Sequence, residues 1–125
     1  IEVIIIMPHI PDKWYAFVLA KTYYEELIGA GVQIYEYTPG FVHAKVFVSD
    51  DDTATVGTIN LDFRSLYLHF ECGTFIYNNQ VVRDIEKDFQ ETLKKCQRVT
   101  VTDLRKRKLW EKVCGRVLRL IAPLM

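Results

Sequence analysis

One histidine, one lysine, a hydroxyl and an amide stand at fixed intervals inside an otherwise apolar stretch of this chain. His43, Lys45, Asp50, Gly57, Thr58 and Asn60 give the pattern H-x-K-x4-D-x6-G-[ST]-x-N, once. Imidazole can act as a nucleophile or carry a proton near neutral pH. An ammonium, a hydroxyl and a carboxamide are hydrogen-bond donors. Gathered at one strand edge, they make an anion site with a histidine beside it. A single histidine in a strand is more often a structural residue, so the inference rests on the spacing of the whole set.

The elements that must hold this set follow from periodicity. Residues 41–49 alternate as a strand does, with Ala44, Val46 and Val48 on one face. His43, Lys45, Phe47 and Ser49 fall on the other, which places imidazole and ammonium about 6–7 Å apart along the backbone. Asp50-Asp51-Asp52 reads as a polar turn. Residues 54–58 fit a second strand, so 41–58 is a predicted hairpin, and Gly57 at its end allows close backbone approach. Around it, residues 3–7 read as a buried strand. A helix capped by Asp12 runs to Gly29, with Trp14, Phe17, Val18, Leu27 and Ile28 near one face and Gly29 and Gly31 as stop signals. Residues 32–37 form another strand, 59–66 a loop and 71–77 a further strand. Asn78-Asn79 reads as a turn with a helix N-cap. Val81, Val82, Ile85, Phe89 and Leu93 recur at helical spacing, with the helix ending near Gln97. This order predicts a layered α/β fold.

The pattern resembles the HKD motif of the phospholipase D superfamily, and the flanks resemble its bacterial cardiolipin synthase branch. The flanking likeness is carried by Gly29-Ala30-Gly31-Val32-Gln33-Ile34-Tyr35-Glu36-Tyr37 and Gly40-Phe41-Val42-His43-Ala44-Lys45. It continues through Gly57–Leu66 (numbers 57–66), Phe70-Glu71 and the closing Leu120-Ile121-Ala122-Pro123-Leu124-Met125. It spans essentially the whole chain. The HKD core is specific for the superfamily, the flanks less so for the branch. The likeness implies a three-layer α/β/α sandwich around a mixed β-sheet, one half of a two-copy enzyme. Residues 1–100 would be the half-domain with the second HKD copy, and residues 101–125 a basic amphipathic helix.

The resemblance also implies roles. His43 would be one of two active-site histidines: one attacks phosphorus to give a phosphohistidine, the other protonates the leaving alcohol and later deprotonates the acceptor. The C-terminal copy is more often the acid and base. Lys45 and Asn60 would hold phosphoryl oxygens, with the Thr58 hydroxyl also at the phosphate. Glu71 would accept from the far nitrogen of the histidine and fix its tautomer. Asp50 is named in the motif but is more structural than catalytic in the family. No metal or other cofactor is implied. One departure is that Lys13 follows Pro11-Asp12 where the synthases usually carry a histidine. His9 is out of register with it, so no role is carried over.

The implied reaction joins two phosphatidylglycerols into cardiolipin and glycerol. The implied partners are a phospholipid substrate, an anionic membrane surface and the N-terminal HKD half of the same protein. A homodimer of the chain could also rebuild a two-copy site. The expected location is the bacterial cell membrane, with the catalytic domain on its cytoplasmic side. Alternatives within the superfamily are a phospholipase or a single-motif dimeric nuclease. Outside it, a non-catalytic binding domain would not need the intact His43, Lys45, Asn60 and Glu71.

The chain has 125 residues, half of them hydrophobic, which suits one folded domain. It opens directly on Ile1-Glu2-Val3-Ile4-Ile5-Ile6, so it reads as a segment of a longer protein. No apolar run reaches the roughly 18 residues of a membrane span. As one HKD copy, it is expected to be inactive as a monomer. Net charge is zero but divided. Residues 91–125 hold ten Lys/Arg and three acids, leaving six and thirteen before them. The acidic part argues against a duplex nuclease, which needs a basic groove. From Asp103 the tail looks helical, with Leu109, Val113, Val117, Leu120 and Ile121 on one stripe and Trp110 at its edge. Two readings stand: the stripe meets anionic lipid, or it packs on the domain with its charges solvated. Cys72, Cys96 and Cys114 have no paired metal spacing and read as reduced, partly buried thiols. Trp14 and the tyrosines read as packing residues.

Overall fold

The structure, a computed structural model, describes residues 1–124. Met125, the end of the closing segment quoted above, lies outside the described residues. In chain order the elements are β1 (Ile4–Pro8), α1 (Trp14–Gly29), β2 (Gln33–Tyr37), β3 (Val46–Ser49) and β4 (Thr53–Gly57), then β5 (Gly73–Tyr77), α2 (Gln80–Leu93), β6 (Cys96–Arg98), α3 (Val101–Arg105) and α4 (Leu109–Ile121). The class is α/β, as expected. The strands form two three-stranded sheets rather than one, and they belong to two compact units.

The first unit comprises Ile1–Val42 and Lys95–Ala122. β1 and β2 run parallel, joined through α1, and β6 pairs antiparallel with β2. The helix was expected to start at an Asp12 cap. Its N-cap is instead Lys13, without a side-chain cap, and Asp12 falls one residue outside. At its far end Gly31 takes φ +94, the left-handed geometry a Schellman end needs, and Val32 N–H donates to the Leu27 carbonyl at 3.0 Å. The core is Tyr24, Ile34 and Leu104, with Met7, Leu27, Val32 and Val99 against them. Trp14 is 60% exposed, edge-on to Tyr15, and is not a core residue. Residues 96–98, read as a helix end, pair with β2 as a strand, because a partner distant in sequence supplies its ladder. The tail is two helices. Thr100 and Asp103 form a capping box that starts α3 at Val101, and α4 begins afresh at Leu109.

The second unit, centred on His43–Lys94, is an antiparallel meander of β3, β4 and β5 with α2 packed on it. Val82 from the helix and Ala54 from the central strand are buried. Asn79 caps α2 by accepting from Val81 N–H at 3.0 Å, as its position predicts. Asp50 and Asp51 take φ 52 and 59, the two positive values of a type I′ hairpin turn, which aspartate tolerates. The expected loop at 59–66 closes into one wide helical turn, Arg64–Leu68, with His69 N–H donating to the Arg64 carbonyl at 2.9 Å.

Candidate active site

The site is built where β3 opens and β4 ends. The predicted strand over 41–49 begins only at Val46. The last rung is Gly57 N–H to the Lys45 carbonyl at 3.2 Å. Thr58 N–H, on the alternate side of β4, donates to Cys72 O at 2.9 Å, toward β5. His43 lies in the segment ahead of the strand and is exposed. Lys45 reaches back, its Nζ donating to the His43 carbonyl at 2.9 Å.

Gly57 is required at this bend. A Cβ there would collide with the Cys72 carbonyl oxygen and stand 2.6 Å from Gly73 Cα, both backbone atoms that cannot step aside. The close approach of β4 and β5 brings Thr58 onto Glu71. Thr58 Oγ1 donates to Glu71 Oε2 at 2.5 Å and accepts from Cys72 N–H at 3.1 Å. With its one proton on the carboxylate, the Thr58 hydroxyl positions Glu71 in this arrangement. Asn60 Nδ2 donates to Ser65 Oγ at 3.4 Å, and Ser65 also bonds to Glu71. Ser65 is buried and held by its own N–H on Asp62 Oδ1 at 2.7 Å. Asn60, Ser65, Glu71 and Thr58 thus form one hydrogen-bonded chain.

Glu71 is the electrostatic centre of the group. The Thr58 hydrogen bond holds its carboxyl below the usual carboxylate range, and the Ser65 bond adds to this. Desolvation opposes the effect, while His69 and then Lys45 contribute attraction. An ionised carboxylate in this position can accept from an imidazole N–H, and the Lys45 ammonium and Asn60 amide can meet an anion. Asp50 stands apart. It lies in the hairpin turn at the other end of β3 and accepts from Ser49 Oγ at 2.9 Å. The length of β3, about 13 Å at a strand's rise, separates it from Lys45. Its place is that of a turn residue. Sequence reasoning missed Ser65 and His69. Both lie in or next to quoted flanking segments, where a buried serine between the motif amide and the acid was the available signal. Among the described residues, no group of His, Cys, Asp or Glu is placed to hold a metal ion.

A family profile described as "Cardiolipin synthase, PLD-like domain" matches residues 1–93. The chain belongs to this family. A protein of Streptococcus mutans called "Uncharacterized protein" is 58% identical over the whole chain, which covers 27% of that protein. "Cardiolipin synthase 2" of Bacillus anthracis is 39% identical, with 24% of its length covered. "Cardiolipin synthase" of Clostridium perfringens strain SM101 is 40% identical, with 26% covered. The chain spans about a quarter of the length of these relatives. The family match extends through β1 to α2 and so takes in His43, Lys45, Asn60 and Glu71.

This phospholipase D-like domain has a second polar cluster, in its other unit. Glu36 is 8% exposed and carries two partners: His9 Nδ1 at 2.8 Å and Lys21 Nζ at 3.1 Å. Arg107 Nη1 donates to the Lys21 carbonyl at 3.1 Å. Tyr24 lies beside them with its hydroxyl buried and without a hydrogen-bond partner among the described residues. Burial raises the Tyr24 phenol above its usual range, with Glu36 adding to the rise and Arg107 opposing it. His9, set aside in the sequence for lack of register, is thus tied to a buried carboxylate.

Proposed function

We propose that this chain is the C-terminal catalytic half of a phospholipase D-type cardiolipin synthase, acting at the cytoplasmic face of the bacterial cell membrane. The observation that carries the reading is the Asn60–Ser65–Glu71–Thr58 chain beside Lys45, which joins Lys45, Thr58 and Asn60 of an intact H-x-K…G-T-x-N pattern to Glu71. The reaction moves a phosphatidyl group between two phosphatidylglycerols. A histidine of the other HKD copy attacks phosphorus, and the P–O bond to the glycerol headgroup breaks. His43 gives that oxygen its proton, so glycerol leaves and a phosphohistidine remains. His43, now neutral, takes the proton from a hydroxyl of the second phosphatidylglycerol. That oxygen attacks phosphorus, the P–N bond breaks, and cardiolipin is formed.

Lys45 and Asn60 hold the non-bridging oxygens, whose charge grows in the transition state. Glu71 orients His43 and stabilises its cationic form. One HKD copy supplies only one histidine, so the isolated chain is inactive as a monomer, and a homodimer would place two copies together. In the full-length protein, His43→Ala is expected to lower transfer at least about 100-fold, the scale of a lost general acid and base. Radiolabelled cardiolipin formation measures it, and substantial residual transfer would overturn the assignment. Trapping the phosphorylated histidine and mapping it by mass spectrometry separates the two roles: phosphate on His43 would make it the nucleophile.

A further inference from the structure

α4 leaves its wider apolar face outward. A surface helix ordinarily turns its apolar stripe to the core. Here the contact with α1 centres on Gly115, which is buried, with Cys114, Leu118 and Arg119 half-buried on α4. A Cβ on Gly115 would stand 2.5 Å from Thr22 Cγ2 and 3.4 Å from the Val18 carbonyl, so the helices touch at the glycine. One turn on, Arg119 donates through both terminal nitrogens to the Glu26 carboxylate, at 2.7 and 2.8 Å, and lies over the Tyr23 ring at 4.4 Å. At 3.6 residues per turn, the side opposite Gly115 carries Leu109, Val113, Val117 and Leu120, with Trp110 and Ile121 at its edge. This is the stripe read from the sequence, and it is open to solvent: Leu120 is 82% exposed, Leu109 77% and Trp110 56%. The anchoring on α1 answers one of the two sequence readings and leaves the apolar face with nothing over it among the described residues.

The charge around this stripe decides among occupants. Arg116 sits on α4 at the stripe's flank, and Arg105, Lys106 and Lys108 are exposed on the segment leading into the helix. The acids of the tail are committed elsewhere. Asp103 is held in the Thr100 capping box, and Glu111 faces Arg107 at 3.6 Å. A second copy seated here would bring this basic rim against its own duplicate. An anionic bilayer offers both complements, acyl chains for the stripe and phosphate headgroups for the rim. We propose that the exposed face of α4 lies on an anionic lipid surface, with Trp110 at the headgroup level. The proposal does not depend on the catalytic reading, because lipid binding is measured without turnover.

The test uses the full chain with Trp14→Phe, an exposed site, so that Trp110 is its only tryptophan. It is titrated with phosphatidylglycerol–phosphatidylcholine vesicles and with phosphatidylcholine vesicles. The expected result is a blue shift of Trp110 emission and co-sedimentation with the anionic vesicles, at least about tenfold weaker on neutral ones and weakened by salt. Val113→Asp with Val117→Asp abolishes both signals while circular dichroism stays unchanged, since these side chains are exposed. Should that variant unfold, Lys106→Glu with Arg116→Glu decides instead, with at least about a tenfold loss. Equal affinity for neutral vesicles would overturn the proposal, as would no binding, or a dimer on size exclusion that the aspartate variant dissociates. In the full-length enzyme, His43→Ala should keep this binding unchanged, which separates failure of the surface from failure of the catalytic assignment.

Discussion

The two units of this domain each hold a glutamate at the centre of a polar network, and the networks are built in opposite ways. Glu36 is buried on β2 beside the Tyr24–Ile34–Leu104 core, and its partners are charged side chains. Glu71 lies just ahead of β5 in a unit whose buried residues, among those described, are few, Ala54, Ser65 and Val82, and its nearest partners are hydroxyls. The sheet of that unit also keeps an aromatic face open, with Phe47 and Phe75 on the Thr55 row and Tyr77 beyond. The difference separates two uses of a carboxylate. In the first unit the carboxylate is buried and its partners reach it from nearer the surface, so losing them leaves a buried charge. In the second the carboxylate is poised by short local bonds at an open strand end, where a substrate and a second wall can reach it.

Paired substitutions sharpen or break this contrast. Glu36→Ala leaves Lys21 and His9 without their acceptor and is expected to lower unfolding stability by about 3 kcal/mol. Glu71→Gln is expected to leave the urea midpoint nearly unchanged and to slow transfer in the full-length enzyme about 100-fold. Urea titration and cardiolipin formation, run on both variants, check the pair. A Glu71→Gln protein that loses stability as Glu36→Ala does would erase the distinction. The low pKa of Glu71 adds a sign: its contribution is present above the ordinary carboxylate range and is lost as pH falls through its lowered value. Glu71 therefore stays ionised in mildly acidic buffer, and an acid limb of the pH–rate profile there does not report its titration.

Gly57→Ala tests how the open site is held. The added carbon meets backbone of Cys72 and Gly73, so β4 and β5 must separate, at a cost of about 2 kcal/mol. Thr58 would then lose its geometry to Glu71, and transfer should fall together with stability. A variant that keeps full activity would show that the close approach is not what places Thr58.

Much of this was legible in the sequence, for reasons that differ by element. The hairpin turn, the Asn79 cap and the Gly31 helix end are local devices, readable because each residue type solves a backbone problem by itself. The start of β3 was misplaced because alternation at 41–45 marks faces but not pairing, and the paired strand begins at Val46, opposite Val56. β6 was missed because its partner lies some sixty residues earlier. Glu36 could have been found: period-2 alternation puts it on the face of Ile34, and a carboxylate there must have partners. The stripe on α4 was read correctly, but its orientation was not available. A stripe shows which side is apolar, and only Gly115 against Thr22 and Val18 shows which side is docked.

The smallest effect falls on Tyr24, where the first unit's network is least complete. Its hydroxyl is buried and unbonded among the described residues, so Tyr24→Phe removes an unsatisfied group rather than an interaction. Stability at neutral pH is expected to rise by about 1 kcal/mol. The phenol pKa is raised on folding, so the neutral form belongs to the folded state. That contribution is complete below the unfolded phenol value of about 10 and is lost as pH climbs above it. Urea midpoints at neutral pH and above pH 10 should therefore differ less in Tyr24→Phe than in the parent chain. A loss of stability in the variant at neutral pH would mean that the hydroxyl is bonded, and that the Glu36 network reaches one residue deeper into the core.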